Sequence, residues 1–258
     1  MSAAGPPATF APVRRVAPGA PFTWLALGWR DLRRAPVASL AYGAAFALMG
    51  WLIHFVFRHA YEYVYGLAAG FLLVGPALAA GLYDISRRLE RGEPAPLVPT
   101  LTAWRANPGA FGVFAVILLV LLLLWSRASL VIFALFFASG LPSLKDLMGQ
   151  VLSAAHWDFV LAWFAAGGVF AALAFAAGAV SVPMMLDRRT DAVVAVLNSV
   201  RALLANPLPM AVWAALIVLL VGTGFATLLV GLVLTGPLVG HATWHAYRAL
   251  VGAPGEAG

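Results

Sequence analysis

From Pro207 to Gly240, within NPLPMAVWAALIVLLVGTGFATLLVGLVLTGPLVGHATWHAYR (Asn206 to Arg248), there is no charged residue. At about 1.5 Å per residue, one straight helix over that stretch would run roughly 50 Å, against a hydrocarbon core of roughly 30 Å. A single span would leave apolar helix in water. Two shorter spans with a turn at Gly222-Thr223-Gly224 fit the core, and they place Arg201 and Arg248 on one side, as the positive-inside rule favours. The stretch therefore predicts a transmembrane hairpin, and the rest of the chain repeats its plan.

Composition agrees. Of the 258 residues, 63% are hydrophobic and 10% charged, where soluble domains carry about 25% charged residues. The absence of cysteine excludes disulfides, thiolate metal sites and iron–sulfur clusters. The net charge of +6 does not point to nucleic acid, because the basic residues sit in short segments beside apolar runs, where topology requires them. Met1 to Ala20 lacks the apolar core of a signal peptide, and its Ala, Gly and Pro content predicts a disordered cytoplasmic tail.

The expected fold is all-α: a polytopic transmembrane helical bundle of about six spans. Three parallel-repeat hairpins make it up, each preceded by an interfacial amphipathic helix. One membrane domain covers residues 21–251, with a short tail over 252–258. Thr23–Ala35 gathers Trp24, Leu25, Gly28, Trp29 and Leu32 on one face and Arg30, Arg33 and Arg34 on the other, which suits the headgroup layer. Spans are expected over about Val37–Phe57, Val64–Tyr83, Phe111–Trp125 and Phe159–Met185. Arg127 is read as snorkelling to the outer interface beside Trp125, with a second apolar piece, Ser129–Ala138, after it. Leu141–Asp158 forms the longest outer connection. Thr190-Asp191 caps an amphipathic helix bearing Val193, Val196, Leu197, Val200 and Leu204.

The hairpins open on Ala35-Pro36, Asn107-Pro108 and Asn206-Pro207, and proline suits the first turn of a helix. Tyr83 follows Pro76 at the distance at which Trp244 follows Pro237, and the same holds for Arg87 and Arg248. Pro76, Pro183 and Pro237 lie inside spans, and each removes the helical donor of the carbonyl four residues earlier, at Leu72, Ala179 and Val233. Those carbonyls define either a polar seam or three packing kinks, and the kinks are the better-founded reading.

WLALGWRDLRRAP, GFLLVGPALAAGLYDISRRLERGEP, SVPMMLDR, LANPLPM, GFATLLVGLV and GPLVGHATWHAYR resemble a proteobacterial family of integral membrane proteins catalogued as a domain of unknown function. The resemblance implies a multi-pass inner-membrane protein and brings no activity or catalytic residue with it. The amphipathic helix with its Asn-Pro start is also loosely similar to the membrane domain of some glycerophosphodiesterases, but no phosphodiesterase domain is present.

Few residues carry chemistry. His241 and His245 are spaced as i, i+4, which can chelate a metal from one helix face. No acid in the stretch completes a site, so an interfacial belt with Trp244 and Tyr247 is the expectation. Asp84 and Asp187 are the acids nearest the membrane, and acids inside a membrane suggest function. Each has arginines beside it, Arg87 and Arg88 or Arg188 and Arg189, so local ion pairing is expected. With no catalytic set and no cofactor motif, the expected function is that of a non-enzymatic accessory, assembly or scaffold protein. Its partners would be the lipid bilayer and another membrane complex or a second copy, in a bacterial inner membrane with both termini cytoplasmic. The alternative is a small transporter or channel with a polar seam at the proline-kinked helices.

Overall fold

The computed structural model describes residues 10–60, 63–137 and 157–251. Among these residues every regular element is helical: α1 (Ala20–Arg34), α2 (Pro36–His59), α3 (Val64–Glu90), α4 (Leu97–Thr100), a 3₁₀ turn (Ala103–Ala106), α5 (Pro108–Phe136), α6 (Trp157–Gly178), α7 (Ser181–Arg188), α8 (Ala192–Ala205), α9 (Pro207–Ala226) and α10 (Leu232–Val251). The chain divides into two compact units, residues 117–175 and the remainder.

Pro36, Pro108 and Pro207 each occupy the first helical position, of α2, α5 and α9, where a missing N–H breaks no helical bond. Asp191 caps α8 by accepting a hydrogen bond from the Val194 N–H at 2.9 Å. Among the described residues, five segments are long and apolar enough to cross a membrane: α2, α3, α5, α9 and the run Trp157–Arg188 that holds α6 and α7. The sixth expected span corresponds to α10, whose second half carries His241, His245 and Arg248 and which is accordingly less apolar.

In the larger unit α10 is the central helix. It packs against α1, α2, α3, α7 and α9 and buries Pro237, Gly240, His241, Trp244, Tyr247 and Leu250 among others. A helix with a polar second half thus sits in the core, while the more apolar α2 and α9 stand around it with Leu48, Val218 and Leu219 exposed. A bilayer favours this arrangement, because lipid tails are as apolar as Leu and only small or polar groups gain by being inside. Helix α8 follows the same logic. Its buried face is Ala192, Ala195, Asn198, Ser199 and Ala202, and Val193, Leu197 and Leu204 face outward.

Several expectations shift. Gly222-Thr223-Gly224 does not break the helix: α9 continues to Ala226, and the turn lies at 227–231. The Thr223 hydroxyl donates to the Leu220 carbonyl at 2.8 Å and stays within the helix. Gly224 is where the returning chain comes closest, since a Cβ there would overlap the Leu232 side chain. The turn itself is closed by Thr227, whose Oγ1 accepts from the Gly231 N–H at 2.9 Å, with Leu228 and Leu229 at φ 53° and 69°.

Helix α3 runs past Tyr83 through the basic cluster to Glu90. Helix α6 ends at Gly178, and Pro183 falls in the first turn of the separate helix α7, still within the candidate span Trp157–Arg188. Helix α1 is not a free interfacial raft. Trp24, Gly28 and Leu32 pack inward, whereas Trp29 is exposed with the Arg33 guanidinium 5.8 Å from its ring. Residues 10–19 of the expected tail are fixed: the Arg14 N–H donates to the Leu250 carbonyl at 2.7 Å. Asn206 holds the same strand, accepting from the Val16 N–H at 2.9 Å and donating to the Arg14 carbonyl at 3.0 Å. Most of the Leu141–Asp158 connection lies outside the described residues.

In the smaller unit, α5 runs unbroken through Arg127 to Phe136, so Ser129–Phe136 continues the third span. The Trp163 indole donates to Ser129 Oγ at 2.8 Å. Trp125 packs on Trp163 and Phe170, and Phe133 and Phe136 on Phe159. Arg127 is exposed on α5.

Candidate functional site

The polar side chains of the larger unit converge at one end of the bundle, where α1, α2, α3, α7 and α10 meet. His241 is the centre. It is fully buried on α10, with Nε2 2.8 Å from Ser39 Oγ of α2 and Nδ1 2.8 Å from Ser86 Oγ of α3. Each hydroxyl has a second acceptor. Ser39 reaches the Ala35 carbonyl at 2.8 Å, and Ser86 reaches the Asp31 carboxylate. An uncharged imidazole therefore satisfies both serines with either ring nitrogen protonated.

One turn on, His245 Nε2 lies 2.7 Å from Asp31 Oδ2 of α1. Asp31 is 1% exposed. Burial pushes its carboxyl pKa up, but the hydrogen bond and charge of His245 and the hydrogen bond from Ser86 outweigh that, so the group is held below its ordinary 3.8. The depressed value means that the carboxylate stabilises the fold above about pH 4 and that this contribution is lost as pH falls through that range. Asp31→Asn should therefore melt lower than wild type in detergent at pH 7, with the gap closing below about pH 4. A gap that stays constant from pH 7 to pH 3 would refute this account.

Three further acids at this end of the bundle are paired. Asp84 accepts from Arg87 Nε at 3.1 Å and Arg88 Nε at 2.8 Å, the local pairing expected. Asp187 is different. Its Oδ2 accepts the Tyr247 hydroxyl of α10 at 2.8 Å and lies 3.9 Å from Arg248 Nη1. The neighbouring Arg188 instead donates to Tyr247 at 3.1 Å and to the Val251 carbonyl at 3.3 Å. Glu90 accepts from the Trp244 indole and from Arg248 Nε, each at 3.0 Å. A cavity of about 260 Å³ lies among Arg87, Glu90, Arg91, Asp187, Trp244 and Arg248. Another of about 610 Å³ reaches His245 from beside Arg14 and Thr23.

The two histidines do not share a ligand point, since each turns to different partners on different helices. Nor do His241, Trp244 and Tyr247 form an interfacial belt: all three are buried, because α2, α3 and α7 supply them with hydroxyl, carboxylate and guanidinium partners. The Val233 carbonyl released by Pro237 lies against Gly43 of α2, a close helix approach rather than a polar opening. Sequence reasoning missed Asp31, Ser39, Ser86 and Glu90. The only available signal was a run of small or acidic residues facing a histidine pair from helices far away in the chain.

Long apolar helices around a core with buried polar links define a polytopic α-helical integral membrane protein. Residues 63–187 match the family model described as "Predicted integral membrane protein (DUF2189)", a domain of unknown function. No curated protein and no solved structure matches the chain.

Proposed function

We propose that the protein is a non-enzymatic accessory component of a membrane assembly, holding or stabilising another membrane protein through its exposed spans. The observation that supports this reading is where burial falls. The polar groups at the end of the bundle are largely taken up in tying α1, α2, α3, α7 and α10 together, whereas at most 22% of the most apolar stretch of α2, α3 or α9 is buried within the protein. The spans offer large apolar faces and the core offers helix-to-helix fastening, a division that suits a scaffold. Purification in mild detergent tests it: a stoichiometric membrane partner that survives size-exclusion chromatography is expected. A monodisperse protein without a partner, whose melting temperature rises with one small solute, would replace this reading with transport.

We further propose an inner-membrane location with both termini cytoplasmic, because this places every Lys and Arg except Arg58, Arg127 and Lys145 on the cytoplasmic side. Reporter fusions at Gly92 and Leu144 should then report opposite compartments, and a shared compartment would refute the topology.

A further inference from the structure

At the end of the larger unit opposite the polar cluster, α2 and the α9–α10 turn enclose an open cleft of about 610 Å³, within the roughly 300–1,000 Å³ of small-molecule sites. Trp51, about half exposed, lies along it and donates its indole N–H to the Leu228 carbonyl at 3.0 Å. Ile53 and Phe57 line one wall, and Phe225, Leu228 and Leu229 the other. The polar lining side chains are His54 and Arg58, one helical turn apart on α2.

The lining changes character along its length. Gly50 and Trp51 mark the apolar end and Arg58 the charged end, roughly 12 Å further along the helix at about 1.5 Å per residue. Among the described residues, no acidic residue lines the cleft. A site with apolar walls and a cationic end, at the end of a membrane-spanning helix, complements an amphiphile whose chain enters the hydrocarbon and whose head is an anion.

We propose that this cleft binds one anionic phospholipid from the surrounding leaflet, with an acyl chain along Trp51, Phe57 and Phe225 and the phosphate at Arg58. The basic rim selects anionic over zwitterionic lipid, and the apolar walls select lipid over free phosphate.

The test is native mass spectrometry of the full chain released from nanodiscs containing equal phosphatidylglycerol and phosphatidylcholine. Wild type should retain one phosphatidylglycerol with a preference of about fivefold, as one exposed charge contact provides. Arg58→Gln should lose the preference while Arg58→Lys keeps most of it. Ile53→Trp, which fills the cleft, should lose the retained lipid altogether. Melting temperatures identify any variant that fails to fold. Should Ile53→Trp fail, quenching of wild-type tryptophan fluorescence by brominated phosphatidylglycerol more than by brominated phosphatidylcholine decides the matter, and equal quenching refutes the proposal. It is also overturned if wild type retains both lipids equally or if Arg58→Gln keeps the preference. Capture of free inorganic phosphate in place of lipid, or a lipid-free dimer whose second copy fills the cleft, overturns it too.

Discussion

Gly43→Leu should abolish the folded protein, whereas Gly70→Leu in the neighbouring span should be tolerated. Both are glycines inside apolar helices, and neither change alters charge. They differ in what a side chain would meet. Nothing lies within 4 Å of a Cβ built at Gly70, while one at Gly43 overlaps the carbonyl group of Val233. The obstruction is backbone of the central helix, so it cannot rotate away. Overpacking a core with movable side chains costs roughly 1–3 kcal/mol, and separating two helix backbones should cost more. Pro237 deepens the effect. It lacks the N–H that would bond to Val233, so the backbone of α2 at Gly43 is what covers that oxygen, and forcing α2 away bares it in a medium with no water to satisfy it. Accumulation in the membrane and detergent melting temperature are the measurements. A Gly43→Leu protein that accumulates and melts like the Gly70→Leu control would show that α2 and α10 do not approach closely.

How much of this was legible in the sequence depends on the range over which each signal acts. The X-Pro starts of α2, α5 and α9, the Asp191 cap and the Asp84 pairings involve residues within a few positions of one another, and local pattern revealed them. The position of the last turn was misplaced because glycine is a weak breaker where lipid leaves the backbone no water partner. Helix persists through Gly222 and Gly224, and the chain turns where Thr227 can close it.

Partner choice between helices was not legible. Asp31 stood unremarked among arginines on α1, and only the packing of α1 on α10 brings it to His245, 214 positions away. Asp187 looked committed to its adjacent arginines, yet Tyr247 claims it. The outward apolar face of α8 was read correctly as a stripe. Which way it pointed depended on the solvent being lipid, which reverses the usual meaning of an amphipathic pattern. Asn206 was read as part of a helix start. Its buried side chain also anchors the strand through Arg14, a long-range role that a dipeptide cannot reveal.

His241→Ala should be the most damaging substitution at a polar residue of the core, with a loss of about 3–5 kcal/mol by analogy with other large-to-small core changes. Two costs arise. The cavity is left at the junction of α2, α3 and α10, and the side chain that links all three is gone. The donors themselves are not orphaned, since Ser39 retains the Ala35 carbonyl and Ser86 retains Asp31. His241→Phe, which restores volume without hydrogen bonds, should therefore recover much of the loss. Ser39→Ala and Ser86→Ala should each cost about 1 kcal/mol, the usual net worth of one hydrogen bond. Once His241 is alanine, Ser39→Ala should cost little further, because only its local bond to the Ala35 carbonyl remains, whereas Ser86→Ala should still lose its bond to buried Asp31; double-mutant cycles in detergent melts would read that difference. A His241→Ala protein that melts with wild type would show that the histidine is incidental to the core. Equal damage from Phe and Ala would show that hydrogen bonding, not packing, holds the three helices at this point.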